Sequence, residues 1–224
     1  PEFKWMQALV LQLDLDLQSK PAERKCISFE TNRYLKGVEY LEALFHAILF
    51  KRVLKIQYQP FGSAEEKNWT LHPHYLKQFN NRWFLFGKNP DFETVSNLAL
   101  DRIVSFVEVD LPFVDTDIDF EMYFEDILGV TVPAEAELTK IILHAEPSLA
   151  PYIQTKPIHG SQKQLSEGPE GCVFSIEVLP NYELEKHLLS FGEELEVLEP
   201  LFFREQLRKK ISKLARMYSN SNTA

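Results

Sequence analysis

The sequence predicts an α+β chain of two compact units. The first is a helix followed by short strands in a small, strongly bent sheet or barrel; the second is a ferredoxin-like β-α-β-β-α-β unit closed by a last helix. Three observations carry this. At 224 residues the chain exceeds a typical single domain and falls short of three. Its apolar spacing changes from helical to alternating just after residue 52, then alternates between strand-like and helical runs in the second half. Its charge also reverses along the chain. Residues 46–88 hold seven Lys or Arg against two Glu, whereas residues 115–200 hold 18 acidic and four basic side chains.

The elements follow in order. Gly37 to Ile48 places Leu41, Leu44, Phe45 and Ile48 at helical spacing, so a helix burying those four is expected. Val53 to Tyr58 alternates, which puts Leu54, Ile56 and Tyr58 on one strand face, and Gln59-Pro60-Phe61-Gly62-Ser63 supplies a turn. Further strands are expected at Asn68 to His72, Arg82 to Gly87 and Arg102 to Val109, separated by Asn80-Asn81 and Lys88-Asn89-Pro90-Asp91. Residues 115–137, rich in Asp at the start and apolar from Tyr123 to Val132, read as an inter-domain connection.

In the second unit, Thr139 to His144 reads as a strand and Pro147 opens a helix to about Gln154. Gln162 to Leu165 and Val173 to Leu179 form a hairpin around Gly168-Pro-Glu-Gly171. Asn181 caps a helix that stops at Phe191-Gly192, and Leu195 to Leu198 is the last strand. Pro200 then opens a helix with Phe203, Leu207, Ile211, Leu214 and Tyr218 on one face. Its basic run from Arg204 to Arg216 reads as a solvated face or as a surface against the acidic neighbouring domain.

Composition removes several function classes. A hydrophobic fraction of 45% with 25% charged residues is ordinary for a folded protein. The longest apolar run, Leu41 to Phe50, is broken by Glu42 and His46, so no membrane span is expected. The chain begins without Met or a signal-peptide pattern and reads as a piece of a longer one. Cys26 and Cys172 fall in different units and read as free buried thiols of a cytoplasmic protein. A net charge of -9 argues against binding nucleic acid over the whole surface. His72 and His74 flank Pro73, but no carboxylate or Cys pattern completes a metal site. With no Gly-rich phosphate loop, nucleophile motif or catalytic carboxylate pair, neither an enzyme nor a cofactor is expected.

Four segments in order resemble the WYL domains of bacterial regulators: strand residue Tyr58, His72-Pro-His-Tyr-Leu76, Asn81-Arg-Trp-Phe-Leu-Phe-Gly87 and Leu98-Ala-Leu-Asp-Arg-Ile103. Trp83-Phe84-Leu85 stands where the family has its naming triplet. Leu188-Leu-Ser-Phe-Gly192 and Leu195-Glu-Val-Leu-Glu-Pro200, with the basic helix, resemble the WCX extension that follows such domains. The resemblance implies an Sm-like or SH3-like barrel at 34–114, the connection at 115–137, WCX at 138–218 and a tail at 219–224. Residues 1–33 would be the remnant of a linker to a helix-turn-helix domain, through which such a regulator meets double-stranded DNA.

Carried over residue by residue, the resemblance implies a ligand pocket of Tyr58, His74, Tyr75, Arg82, Trp83 and Arg102 for a nucleotide or single-stranded nucleic acid. Guanidinium forks suit phosphate, and flat rings suit bases. Trp83, on an alternating strand, reads as core before ligand platform, and Arg102, next to Asp101, equally as a salt-bridge residue. Ala99, Asn68-Trp69 and Phe84 depart from the commoner pattern, the first two where relatives often carry arginine, so a less charged effector is also open. Two functions follow as expectations: an effector sensor acting on a DNA-binding domain, or a homodimerisation scaffold without sensing.

Overall fold

The computed structural model describes residues 36–63 and 65–219, so the expectations for Cys26 and the linker remnant lie outside the described residues. It is an α+β arrangement of two antiparallel sheets with a C-terminal helix.

A 3-10 turn at Val38–Tyr40 leads into helix α1 (Leu41–Leu49). The turn starts at Gly37, whose φ of 86° is left-handed and whose missing Cβ would stand 2.4 Å from the Leu100 carbonyl, so only glycine fits. Helix α1 buries Leu44 and Ala47, while Leu41 and Ile48 are partly covered. Phe45, expected in the core, is exposed; the small Ala47 lets the helix backbone approach the sheet and takes the buried position.

Five strands follow: β1 (Val53–Tyr58), β2 (Lys67–Phe79), β3 (Arg82–Lys88), β4 (Ser96–Ala99) and β5 (Ile103–Val109). Their order is β4-β3-β2-β1-β5. As the alternation predicts, Leu54, Ile56 and Tyr58 are buried. The turn between β2 and β3 is made by Asn80 and Asn81, both at positive φ, as a tight hairpin turn requires. Strand β2 extends beyond the expected end at His72, pairing with β1 through Lys67 to Leu71 and with β3 from His72 onward. No ladder joins β4 to β5; a 3-10 turn at Leu100–Arg102 links them, and the expected closed barrel is not seen among the described residues.

The sheet is covered on both faces. Leu54, Ile56, Leu71, Leu85 and Leu98 form one cluster with Leu44 of α1. On strand β3, Phe84 and Phe86 point the other way, into a second cluster with Phe120, Phe124, Ile127 and Val130 of the connection. Within the connection, Asp119 caps the short helix α2 (Phe120–Tyr123) by accepting from the Glu121 and Met122 amides.

The second half is β6 (Thr139–Ala145), α3 (Ala150–Thr155), β7 (Lys163–Gly168), β8 (Gly171–Val178), α4 (Tyr182–Leu189), β9 (Leu195–Glu199) and α5 (Leu201–Ser219). Its sheet order is β7-β8-β6-β9, antiparallel throughout. Ile141, Leu143 and Ala145 of β6 alternate with Cys172, Phe174, Ile176 and Val178 of β8 into one core, completed by Ile153, Leu184, Leu188, Phe203 and Leu207. Strand β7 contributes nothing to it: all six of its residues are exposed.

The connection ties the halves together by named bonds. Asn97 donates to the Val130 carbonyl at 2.8 Å, and the Leu179 amide donates to the Asp126 carbonyl at 2.7 Å. Asn181 caps α4 by accepting from the Leu184 amide, and its amide nitrogen donates to the carbonyls of Leu128 and Thr131, each at 2.9 Å.

Candidate functional site

The two arginines singled out by sequence stand at one corner of the first sheet. Arg82 opens β3, and Arg102 ends the 3-10 turn that passes the chain from β4 to β5. Both approach the ring of Phe61, which the β1–β2 turn carries up from the sheet: the Arg102 guanidinium carbon lies 4.1 Å from its centroid and that of Arg82 5.8 Å. Phe61 remains 66% exposed, so a wide part of its surface is open to a ligand.

Beneath them, Asp101 and Tyr58 set the electrostatics. Asp101 Oδ2 lies 3.5 Å from Arg82 Nε, and its side chain is only 12% exposed. Its other oxygen, Oδ1, and the Nε–H of Arg102 are buried without a hydrogen-bond partner among the described residues. The Tyr58 hydroxyl accepts from the Ala99 amide at 3.4 Å. Burial pushes its phenol up from the ordinary range, with the Arg102 charge opposing, so it stays a neutral hydroxyl.

A run of rings leads away from the corner. Tyr58 and Trp69 have centroids 5.9 Å apart, and Trp69 and the exposed Phe92 5.5 Å apart. Trp69 faces this way because its cross-strand partner is Ile56, two residues before Tyr58 on the same strand face.

The other expected members are elsewhere. Trp83 packs against the first core cluster. His74 meets Phe113 edge to face, with ring centroids 5.1 Å apart, and burial pulls its pKa down, Asp115 opposing. Tyr75 stacks on Phe120 of the connection, centroids 4.9 Å apart and planes within 3°. The cause is an irregularity in the β2–β3 pairing between Pro73 and Tyr75. An extra residue there reverses the faces of all that follow, so Trp69, Leu71 and then Leu76 reach the first cluster while Tyr75 and Phe79 reach the second.

Phe61, Asp101 and Phe92 were missed as site residues. Phe61 lies within a turn signal, where a ring carries no periodicity to read. The same is true of Phe92, which follows the turn signal at Asn89-Pro90-Asp91. Chemically, the corner offers two cations and an open ring face over a buried hydroxyl and a buried carboxylate.

Comparison with known proteins places these features in a family. The chain matches the WYL domain over residues 39–108 and the WCX domain over residues 137–215. No curated protein sequence matches it. Among solved structures it is similar to a CRISPR Cas-related protein at 10% identity and a TM-score of 0.50, over 81% of this chain and 51% of that one. It is also similar to proteasome accessory factor B/C of Arthrobacter aurescens at 16% identity and a TM-score of 0.35, over 82% of this chain and 27% of that one. The chain thus spans about half of the first and about a quarter of the second. Its two matched segments together make it a member of the WYL-domain proteins, a WYL domain followed by a WCX domain.

Proposed function

We propose that this chain is the effector-sensing portion of a DNA-binding transcription regulator, and that it takes a nucleotide or a short single-stranded nucleic acid at the Arg82–Arg102–Phe61 corner. The observation that carries the reading is the convergence of both guanidinium groups on one exposed ring. Phosphate is held by Arg82 and Arg102 through charge-assisted bonds, and a base stacks on Phe61 or along Trp69 and Phe92.

Sensing requires the ligand to prefer one arrangement of the regulator over another. The reading assigns no catalysis to the chain, since the corner holds no nucleophile paired with a base. Double-stranded DNA is met through a helix-turn-helix domain beyond these 224 residues. The reading also takes the first sheet as an opened form of the Sm-like or SH3-like barrel and the second as ferredoxin-like, on the strand orders β4-β3-β2-β1-β5 and β7-β8-β6-β9.

Calorimetric titration with short single-stranded DNA, single-stranded RNA and mononucleotides tests it. Binding by at least one of these is expected, and Arg102→Ala and Arg82→Ala each weaken it by about tenfold to a hundredfold, the loss of one charge-assisted contact. Absence of heat with all three, or affinities that neither substitution moves, overturns the reading.

A further inference from the structure

The WCX domain holds a recess that its own packing leaves open. It is a cavity of about 410 Å³ between the C-terminal ends of α3 and α4, with Leu149 and Phe191 on its apolar side and Tyr152, Lys156, His187 and Ser190 on its polar side. Leu149 belongs to the second core and Phe191 packs against it, so the floor is fixed. His187 meets Phe191 edge to face, with ring centroids 5.1 Å apart, which holds the imidazole in place. A volume of this size suits a small organic molecule.

The recess has an ammonium and no counter-ion. No carboxylate side chain is among its lining residues, and Lys156 has no ion-pair partner among the described residues; its Nζ donates to the Tyr152 hydroxyl at 3.3 Å. Lysine and histidine near the end of a helix often bond its last carbonyls. Here other donors have taken them. The Tyr152 carbonyl accepts from the Lys156 amide at 2.9 Å, the Ile153 carbonyl from Gln162 Nε2 at 3.0 Å, and the His187 carbonyl from the Ser190 hydroxyl at 2.6 Å. Burial holds the His187 imidazole below its ordinary pKa and the Lys156 charge acts the same way, so near neutral pH it is an uncharged ring with one N–H to give.

We infer that this recess is a binding site for a small aromatic carboxylate, its charged end on Lys156 and His187 and its ring against Tyr152 and Phe191. Inorganic phosphate is poorly served here, because one ammonium and one imidazole N–H leave most of its oxygens facing hydrocarbon. A wholly apolar molecule would instead strip water from Lys156 and offer it nothing. An aromatic acid meets both demands: a charge-assisted bond at one end and ring contacts at the other. The site stands independently of the ligand reading of the first domain.

Nuclear magnetic resonance on the 224-residue chain, isotope-labelled at histidine, reads the site directly. The probes are benzoate, its uncharged isostere benzamide, and inorganic phosphate. Benzoate is expected to shift the His187 ring signal, identified by its loss in His187→Gln, with a Kd of about 1 mM, the scale set by its size. Benzamide and phosphate bind about tenfold more weakly or worse. Lys156→Met weakens benzoate by about tenfold, whereas Lys156→Arg keeps it within about threefold; the side chain is exposed, so neither change disturbs the core. Arg102→Ala leaves the titration unchanged, which separates this site from the corner of the first domain. No shift at His187 up to about 20 mM benzoate, an equal affinity for benzamide, tighter binding of phosphate, indifference to Lys156→Met, or a loss in Arg102→Ala overturns the inference.

Discussion

The second sheet gathers one continuous core on one face, built from β6, β8 and the helices α3, α4 and α5. The first sheet is instead sandwiched, with α1 and the corner's supporting residues on one face and the inter-domain connection on the other. The difference teaches that residues 115–137 are structural walls more than tether. Phe120, Phe124, Ile127 and Val130 bury themselves on Phe86, and carbonyls of the same segment accept from side chains of both halves, Val130 from Asn97 and Leu128 from Asn181. The WYL half thus borrows a core from the segment that leads to the WCX half.

The largest expected effect tests that borrowing. Phe86→Ala and Phe174→Ala each remove a fully buried ring, one from the shared cluster and one from the second core, at about 3–5 kcal/mol each. If the connection welds the halves, urea unfolding followed by fluorescence and by circular dichroism gives one coincident transition in both variants. Two separated transitions in Phe86→Ala alone would break the comparison.

A smaller effect sharpens it. Asn181→Ala removes the α4 cap and leaves the carbonyls of Leu128 and Thr131 without their donor, a loss of about 2–3 kcal/mol in the same urea experiment. A loss near 1 kcal/mol, the ordinary value for a cap by itself, would assign the bonds to the connection no weight.

The smallest concerns pH. Burial lowers the pKa of His72 and His74 in the first half and of His187 in the second below the ordinary 6.5, assisted by Lys88 at His72 and by Lys156 at His187. The unfolded chain then binds protons more readily than the folded one, so stability is full above pH 6.5 and falls as pH drops toward the lowered folded values. Melting temperature should decline across that window, and His74→Gln should make the decline shallower. An equal decline in His74→Gln would remove His74 from this account.

Much of this arrangement was legible in the residues. The alternation Leu54, Ile56, Tyr58 fixed the inner face of β1, and Asn181, Gly168 and Gly171 marked element boundaries within the second unit. Strand β4 was missed because Ser96-Asn-Leu-Ala99 is too short to display a period. The strand expected at Asn68 to His72 is longer than read: β2 continues through Pro73 to Phe79 beside an irregular pairing. That one irregularity also explains the divided site. The family resemblance grouped Tyr58, Arg82 and Arg102 with Tyr75, but the reversal of faces after Pro73 sends Tyr75 to the connection, and alternation alone contains no trace of it. The apolar stripe of α5 was equally visible, but periodicity says only that a face is apolar and is silent on what covers it.

The unburied strand β7 has a consequence for how copies of this chain can meet. An outermost strand normally offers a ready template for edge-to-edge sheet growth and aggregation. Here Lys163 and Glu167 put charge along that border, and the pairing irregularity between Gln164 and Ser166 twists it out of flat register. Backbone-to-backbone extension is discouraged on this side, which leaves recognition between molecules to shape and side-chain chemistry, where it can be specific and reversible.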